Sequence, residues 1–559
     1  MRCWKRWSAA LLALTLCMGL LSGCSQEEAR PGLSVCVGAD VETLDPIYAT
    51  AEGDQTILVH LYENLMRVTL DTSGGTTVTG GMAKSYTQER NADGTVTWTF
   101  RLRSAKWSDG QAVTANDFVY AWRRLADPAS GSPYASILSV VAGYEQVVET
   151  GDTSLLQVSA KNDSTLEVVL NGNYDWFLTE VCTSPATLPL RQDVVTTLRD
   201  AAVERNRAAA EETGQEGTER WWSDPAALVT NGAYVPGTYT QGESFTLTEN
   251  TRYYGSITGP GELNFYFADT AEEASELYRN ETVDLVWPLT DEEIERQAEV
   301  TPLTELGTYT VLFNCNQAVF ADQQVRQAMV MAIDRNGAAE AAGITARPAE
   351  GLVPPGVPGE DGEDFRTDAV LLDNDPEAYA ERCAQARQVL EQAGYDSGSY
   401  LGQLEYLYVD TPENAAVAQE LARQWSEALR VNVTPVAVSG TELRAALRSG
   451  DYTLAGLDLK AVGNDAECFL KQWTSDQGSN VVGYANSAYD TLLSIIAKAD
   501  DGTARMGCLH DAEVLLLDDA ALAPLYTRHT GWALRDTLTG ACRDERGWFC
   551  LSGVTARTA

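Results

Sequence analysis

Short runs in which apolar and polar residues alternate, each followed by a run with apolar positions three and four apart, recur along this chain from residue 33 to residue 449. Alternation of period two makes strands and a period of 3.6 makes helices, so their succession predicts α/β units. Leu33-Ser34-Val35-Cys36-Val37 reads as a short strand. After the loop Glu42-Thr43-Leu44-Asp45-Pro46, a helical run over 55–66 puts Ile57, Leu58, Leu61 and Leu65 on one face. Residues 95–102 alternate cleanly, Lys106-Trp107-Ser108-Asp109-Gly110 turns the chain, and Thr114-Ala115-Asn116-Asp117 carries a helix-start signature. A second pair of strands is predicted at 165–170 and 244–249, separated by a charged, alanine-rich helical stretch over 194–222. Strand and helix then alternate at 309–314 and 325–334, at 404–409 and 412–429, and at 431–438 and 441–449, interrupted by a Pro/Gly-rich connector at 352–364. Long excursions between these units predict lobes that the chain leaves and re-enters.

At 559 residues the chain has room for roughly three to five folding units. Its 80 acidic residues against 40 basic ones give a formal charge of −40, which excludes a phosphate-neutralising surface for DNA or RNA. With 44% apolar residues, 13 Trp and 23 Tyr, it is no disordered acidic chain either.

Arg2, Lys5 and Arg6 precede an apolar stretch over 9–21 that ends in Leu21-Ser22-Gly23-Cys24. At 1.5 Å per residue this stretch spans only about 20 Å of helix, short of a hydrocarbon core of about 30 Å, so it reads as a cleaved export signal. It resembles a bacterial lipoprotein signal, which implies removal of residues 1–23, lipidation of Cys24 and a flexible tether up to residue 31. No second apolar run of 18 follows. Eight cysteines then remain: Cys36, Cys182, Cys315, Cys383, Cys468, Cys508, Cys542 and Cys550. An even number in an exported chain fits disulfides, with Cys542 and Cys550 the nearest in sequence, and fits buried free thiols equally well.

The chain has no GxSxG, GxxxxGK[ST] or HExxH, and no GxGxxG opening a helix after a strand. Its three histidines, His60, His510 and His529, are far apart, which argues against a histidine metal centre or a Ser-His-Asp triad. The acidic runs at 360–364 and 373–375 lack the spacing of a calcium loop and read as solvated loops. Neither a metal nor a cofactor is expected. Trp98, Trp107 and Trp122 are expected in the core, and Trp473 and Tyr484, flanking a Gly/Ser loop, are weighed as cleft residues.

Several segments together resemble solute-binding family 5, the oligopeptide- and dipeptide-binding lipoproteins of ABC importers. They are Glu42-Thr43-Leu44-Asp45-Pro46; Leu61-Tyr62-Glu63-Asn64-Leu65; Trp98-Thr99-Phe100-Arg101-Leu102-Arg103; Lys106 to Gly110; Thr114 to Trp122; Ala126-Asp127-Pro128 with Ser132-Pro133-Tyr134-Ala135; Asn231-Gly232-Ala233-Tyr234; and Val325-Arg326-Gln327-Ala328 to Ile333-Asp334. The resemblance implies an α/β, periplasmic-binding-protein-like clamshell of type II. Lobe I would comprise 32–67, 190–305 and 520–559, an extra domain 68–189, and lobe III 306–519, with hinge crossings near 305–308 and 518–524. It implies a ligand added as an extended strand, closure around it, and delivery to an ABC permease.

Carried over residue by residue, the resemblance sets Thr50, Ala51 and Glu52 beside a peptide backbone, Tyr134 in the cleft, and Asn231, Gly232 and Ala233 beneath it. Anchoring on Phe469-Leu470 aligns Leu459, Lys460 and Ala461 with the segment before the family's amine-binding aspartate, Val462 with that aspartate, and Asp465 with a later acidic position. The family's arginine and tryptophan fall near Gly456 and Gly440. The carboxylate for a terminal amine is therefore replaced by valine, so either Asp458 or Asp465 substitutes for it or the ligand lacks a free amino terminus. Lys460 suits an anionic group. The expected protein is a monomeric, lipid-anchored receptor on the outer face of the cell membrane. A receptor for a signalling peptide or non-peptide solute is the alternative, and an exported hydrolase the more distant one.

Overall fold

The computed structural model describes residues 30–557 apart from 72–74, 215–216, 297–299, 361–362, 368, 396, 476–479 and 497–501. The export signal, Cys24 and the first part of the tether lie outside the described residues.

Gly307–Phe313 shows how the main sheet is built. All seven residues of Gly-Thr-Tyr-Thr-Val-Leu-Phe are buried, as in a strand covered on both faces. Tyr309, Val311 and Phe313 point into one core with Tyr406 and Trp425, while Leu312 points into another with Ala455, Phe469 and Leu470. Beside this strand the sheet continues with Leu454–Lys460, Gln403–Val409 and Asn432–Val438 on one side. On the other side come Leu522–Leu534, Leu285–Trp287, Gly32–Val37, Glu262–Tyr266, Ser244–Glu249 and Tyr234–Thr240. The parallel neighbours Gln403–Val409 and Asn432–Val438 are joined through a helix, as parallel pairing requires. The helix Pro412–Leu429 starts where predicted, with Thr411 accepting a hydrogen bond from the Asn414 N–H at 3.2 Å and proline in the first turn.

The extra domain is a four-stranded antiparallel sheet ordered Ala83–Arg90, Val96–Leu102, Thr165–Leu170 and Val158–Asn162. The helix Ala115–Ala126 covers it, and its Asp117 carboxylate accepts the Thr114 N–H at 2.7 Å and the Trp107 indole N–H at 3.2 Å. The predicted partnership of 165–170 with 244–249 does not form, because the two strands lie in different sheets. The helix between them spans Gln192–Thr213. Trp98, Phe100, Trp122 and Phe177 join Leu58, Leu61, Tyr234 and Phe245 in one continuous apolar core, so this domain and lobe I are packed as one body.

Two passages of chain connect that body to lobe III. One runs from strand Val300–Thr304 into Gly307–Phe313, within the region expected near 305–308. The other is the unbroken strand Leu522–Leu534. Its first part pairs with Tyr309 to Leu312 and then with Ala346–Pro348, and from His529 onward it pairs with Val300–Thr304. The strand thus changes partners between Arg528 and His529, beyond the 518–524 expected for this crossing. The break between helix Gly502–Asp518 and this strand is visible in the sequence, but the point where a continuous strand changes partners leaves no local mark.

Candidate functional site: the interlobe cleft

The lobe III wall is the C-terminal half of strand Leu454–Lys460. Asn314 N–H donates to the Thr453 carbonyl at 3.2 Å, and the register runs on to Gly307 opposite Lys460. In an antiparallel ladder this alternation turns the main-chain groups of Ala455, Leu457 and Leu459 toward Gly307–Phe313, and those of Asp458 and Lys460 away from it. On that far side Gln403–Val409 pairs only with Leu454 and Ala455. Asp458 and Lys460 therefore present N–H and C=O groups on an edge that no described strand occupies.

The side chains along this edge are charged. Lys460 is half exposed, with Nζ 3.5 Å from Glu305. Asp458 is half-buried, and its carboxylate has no hydrogen bond or ion pair among the described residues. Burial raises its pKa, while the ammonium of Lys460 opposes the shift.

Lobe I faces this wall with the start of helix Glu52–Leu61. Thr50 is exposed, Ala51 is extended (φ −74°, ψ 136°) ahead of the first turn, and Glu52 turns its carboxylate to Arg543 at 2.5 Å. Burial raises the Glu52 pKa, and the cations Arg543 and Lys460 pull it back. The Arg543 guanidinium lies 5.3 Å from the Trp287 ring and 5.7 Å from Phe549, with Nε and Nη1 buried and without an acceptor among the described residues. Gly547 (φ 130°) is pressed against Glu52, where a Cβ would come within 2.7 Å of the Glu52 Cγ. Tyr134 is half-buried, its hydroxyl donating to the Ala49 carbonyl at 3.1 Å and accepting from Gln55 Nε2 at 2.9 Å. Burial pushes that hydroxyl up to about 12. Its role in this arrangement is to pin the segment carrying Thr50 to Glu52.

The walls meet. Trp176 donates its indole N–H to Glu467 Oε2 at 3.3 Å, and the Asn464 N–H donates to Glu180 Oε2 at 2.7 Å. Glu180 is held from below by Arg546 at 3.0 Å, and Glu467 by Arg505 at 3.1 Å. Between these contacts lies a cavity of about 100 Å³ lined by Ser136, Ser139, Trp176, Lys460, Ala461 and Val462, among others. That space suits one side chain, well below the roughly 300 Å³ at which pockets for whole ligands begin. The conformation is a closed one.

Of the residues singled out from sequence, Lys460, Ala461 and Val462 line this cavity, Glu52 and Tyr134 lie within electrostatic reach of Lys460, and Thr50 and Ala51 lead into Glu52. Leu459 does not reach the cavity: its main-chain groups are turned to Gly307–Phe313 and its side chain is buried in the lobe III core. Asp465 is not free to replace the carboxylate lost at Val462. It caps helix Ala466–Leu470 by accepting the Glu467 N–H at 2.8 Å, and it pairs with Arg505 at 2.7 Å.

Asn231, Gly232 and Ala233 lie away from the cavity. Asn231 spends its amide on both main-chain groups of Glu63, at 3.0 and 3.1 Å, and a Cβ on Gly232 would stand 2.5 Å from the His60 carbonyl. Together they brace helix Glu52–Leu61 from behind. Trp473 and Tyr484, weighed as cleft residues, are packed in the lobe III core, where Asn480 donates to the carbonyls of both.

Sequence reasoning missed Trp176, Glu180, Glu467, Arg505, Arg543 and Arg546. Each is a partner in a contact spanning 38 to 491 positions, and no periodicity or local motif reports such a separation. Among the described residues no group of three or more His, Cys, Asp and Glu side chains is placed to hold a metal ion.

Residues 77–481 match the family described as bacterial extracellular solute-binding proteins, family 5. The probable deoxycholate-binding periplasmic protein of Escherichia coli is 30% identical, over 87% of this chain and 86% of that protein. The periplasmic oligopeptide-binding protein of Salmonella typhimurium is 28% identical, over 88% and 86%. Among solved structures, the Haemophilus influenzae oligopeptide-binding protein in complex with the peptide RPPGFSPFR superimposes with a TM-score of 0.75, at 26% identity, over 95% of this chain and 99% of that one.

Proposed function

The chain belongs to family 5 of the bacterial extracellular solute-binding proteins, which bind solutes and are not enzymes, and from that premise we propose that it captures an extended peptide or peptide-like ligand in the interlobe cleft and delivers it to an ABC permease. The observation that carries this reading is the unpaired strand edge at Asp458 and Lys460. A ligand lying along it satisfies main-chain groups whatever its side chains are, which gives sequence-tolerant affinity. Thr50 to Glu52 and Tyr134 form the opposite wall, and Ala461 and Val462 floor the cavity where the ligand ends.

A free ammonium placed at that end meets valine, and Asp465 is committed to Arg505. Burying the ammonium unpaired costs several kcal/mol. Asp458, whose carboxylate makes no hydrogen bond or ion pair among the described residues, is the carboxylate available to it. The apolar floor at Val462, together with the 30% identity to a probable deoxycholate-binding protein, favours a second reading in which the ligand lacks a free amino terminus and is not a simple peptide. In both readings Cys24 anchors the protein by lipid to the outer face of the membrane.

Native mass spectrometry of residues 25–559, produced by export, tests the proposal. Co-purified peptides released on denaturation are the expected result, and their termini separate the two readings. Free amino ends implicate Asp458, and blocked ends follow from Val462. An empty protein that shows no thermal shift with a mixed peptide library overturns the peptide reading.

A further inference from the structure

We propose that Cys542 and Cys550 are joined by a disulfide in the exported protein, a covalent staple that fixes the hairpin presenting Arg543 and Arg546 to the cleft. The two residues stand opposite each other in register on antiparallel strands, with Arg543 opposite Phe549 between them and the turn. Asp544 N–H donates to the Trp548 carbonyl at 2.9 Å, so two residues further from the turn Cys542 and Cys550 form a hydrogen-bonded type of pair. Such a pair holds its Cα atoms about 5.5 Å apart, inside the separation that disulfides span, and points both side chains to one face of the ribbon. The neighbouring Cys542 thiol and burial push the Cys550 pKa well up. No other described cysteine faces a cysteine across a strand pairing. Members of this family are extracytoplasmic, where disulfides form and persist.

In the step itself both thiols lose a proton and together yield two electrons, one S–S bond forms, and the disulfide of an exported thiol oxidoreductase accepts electrons and protons to become a dithiol. The staple has a clear load. From this hairpin Arg543 reaches Glu52, Arg546 reaches Glu180, the Phe549 N–H donates to Thr56 Oγ1 at 3.0 Å, and the Leu551 N–H donates to His60 Nε2 at 3.0 Å. Closing a short loop restricts the unfolded chain and holds the buried Arg543 in place before its partner docks.

Tryptic cleavage after Arg543 and Arg546 places the two cysteines on separate peptides, 536–543 and 547–557. Protein purified by export, denatured in iodoacetamide without reductant and digested, is expected to yield these two peptides covalently joined. With prior reduction both appear separately and alkylated. Alkylation of both cysteines without reduction, or linkage of either to a different cysteine, overturns the proposal. The doubly substituted Cys542→Ser, Cys550→Ser protein is expected to melt several degrees below the oxidised protein and together with the reduced one. Equal melting of oxidised and reduced protein removes the staple's structural role. The peptide map makes no use of ligand binding, so its outcome is independent of the proposed transport function.

Discussion

His60 is the clearest case of a single side chain whose chemistry its surroundings dictate. Fully buried beneath the cleft wall, its Nδ1 donates to the Thr56 carbonyl at 2.6 Å and its Nε2 accepts the Leu551 N–H at 3.0 Å, an arrangement only the neutral ring can satisfy. Burial lowers its pKa to about 4, against the hydrogen bond to Thr56. Between pH 6.5 and about 4 the unfolded chain binds a proton here and the folded one does not, so this ring's contribution to stability is intact above pH 6.5. It is lost as the pH falls through that window, by up to about 3 kcal/mol. The His60 ring signals in an NMR titration are expected to move near pH 4, and a transition near 6.5 would show the bond to Leu551 is not maintained. Asn231 works through its amide in the same region. Asn231→Ala strands the buried N–H and C=O of Glu63 and is expected to cost about 1–3 kcal/mol in urea unfolding. Because Asn231 is a brace and not a cleft residue, ligand affinity of the folded variant should stay at the wild-type value; a selective loss of affinity would place it in the site.

At the scale of elements, the cleft depends on where two neighbouring strands part. Leu454–Lys460 keeps its partner Gly307–Phe313 along its whole length and loses Gln403–Val409 after Ala455. The Lys460 N–H points to the vacated side, so proline at this position removes a donor to a ligand and none from the sheet. Lys460→Pro is expected to fold and to weaken ligand binding about tenfold, near the net worth of one hydrogen bond plus some misalignment. Calorimetry reads it, and unchanged affinity would argue against strand addition at this edge. The short helix Ala466–Leu470 is the second element that counts. Capped by Asp465 and clamped by Arg505, it brings Glu467 within reach of Trp176.

For the whole molecule, closure rests on few direct polar contacts between the walls, and it is correspondingly easy to shift. Trp176→Phe keeps the aromatic packing and deletes the indole N–H to Glu467, whose other partners, Arg505 and Lys471, come from lobe III alone. Loss of a hydrogen bond to a charged acceptor is worth roughly 1.5–3 kcal/mol, enough to change a two-state population more than tenfold. Small-angle scattering of the ligand-free variant is expected to show a larger radius of gyration than wild type, with ligand restoring the compact form. Identical curves would mean that the Trp176 contact does not decide closure.

Much of this was legible in the order of residues. The α/β units, the Thr114 to Asp117 helix start and the strand at 96–102 follow from periodicity and capping chemistry, which act over a few neighbouring residues, whereas the segments at 50–52 and 459–462 were singled out only by resemblance to a family. The presence of a valine at 462, which lines the cavity, was also visible there. Only the tertiary structure decided that Asn231 and Gly232 face the interior, that Asp465 is already spent, that strand Leu522–Leu534 changes partners at 528–529, and that Trp176 and Glu467 meet. Those facts depend on burial and on partners hundreds of residues away, where the free energy of a contact is set by what the fold brings beside it and not by what precedes it in the chain.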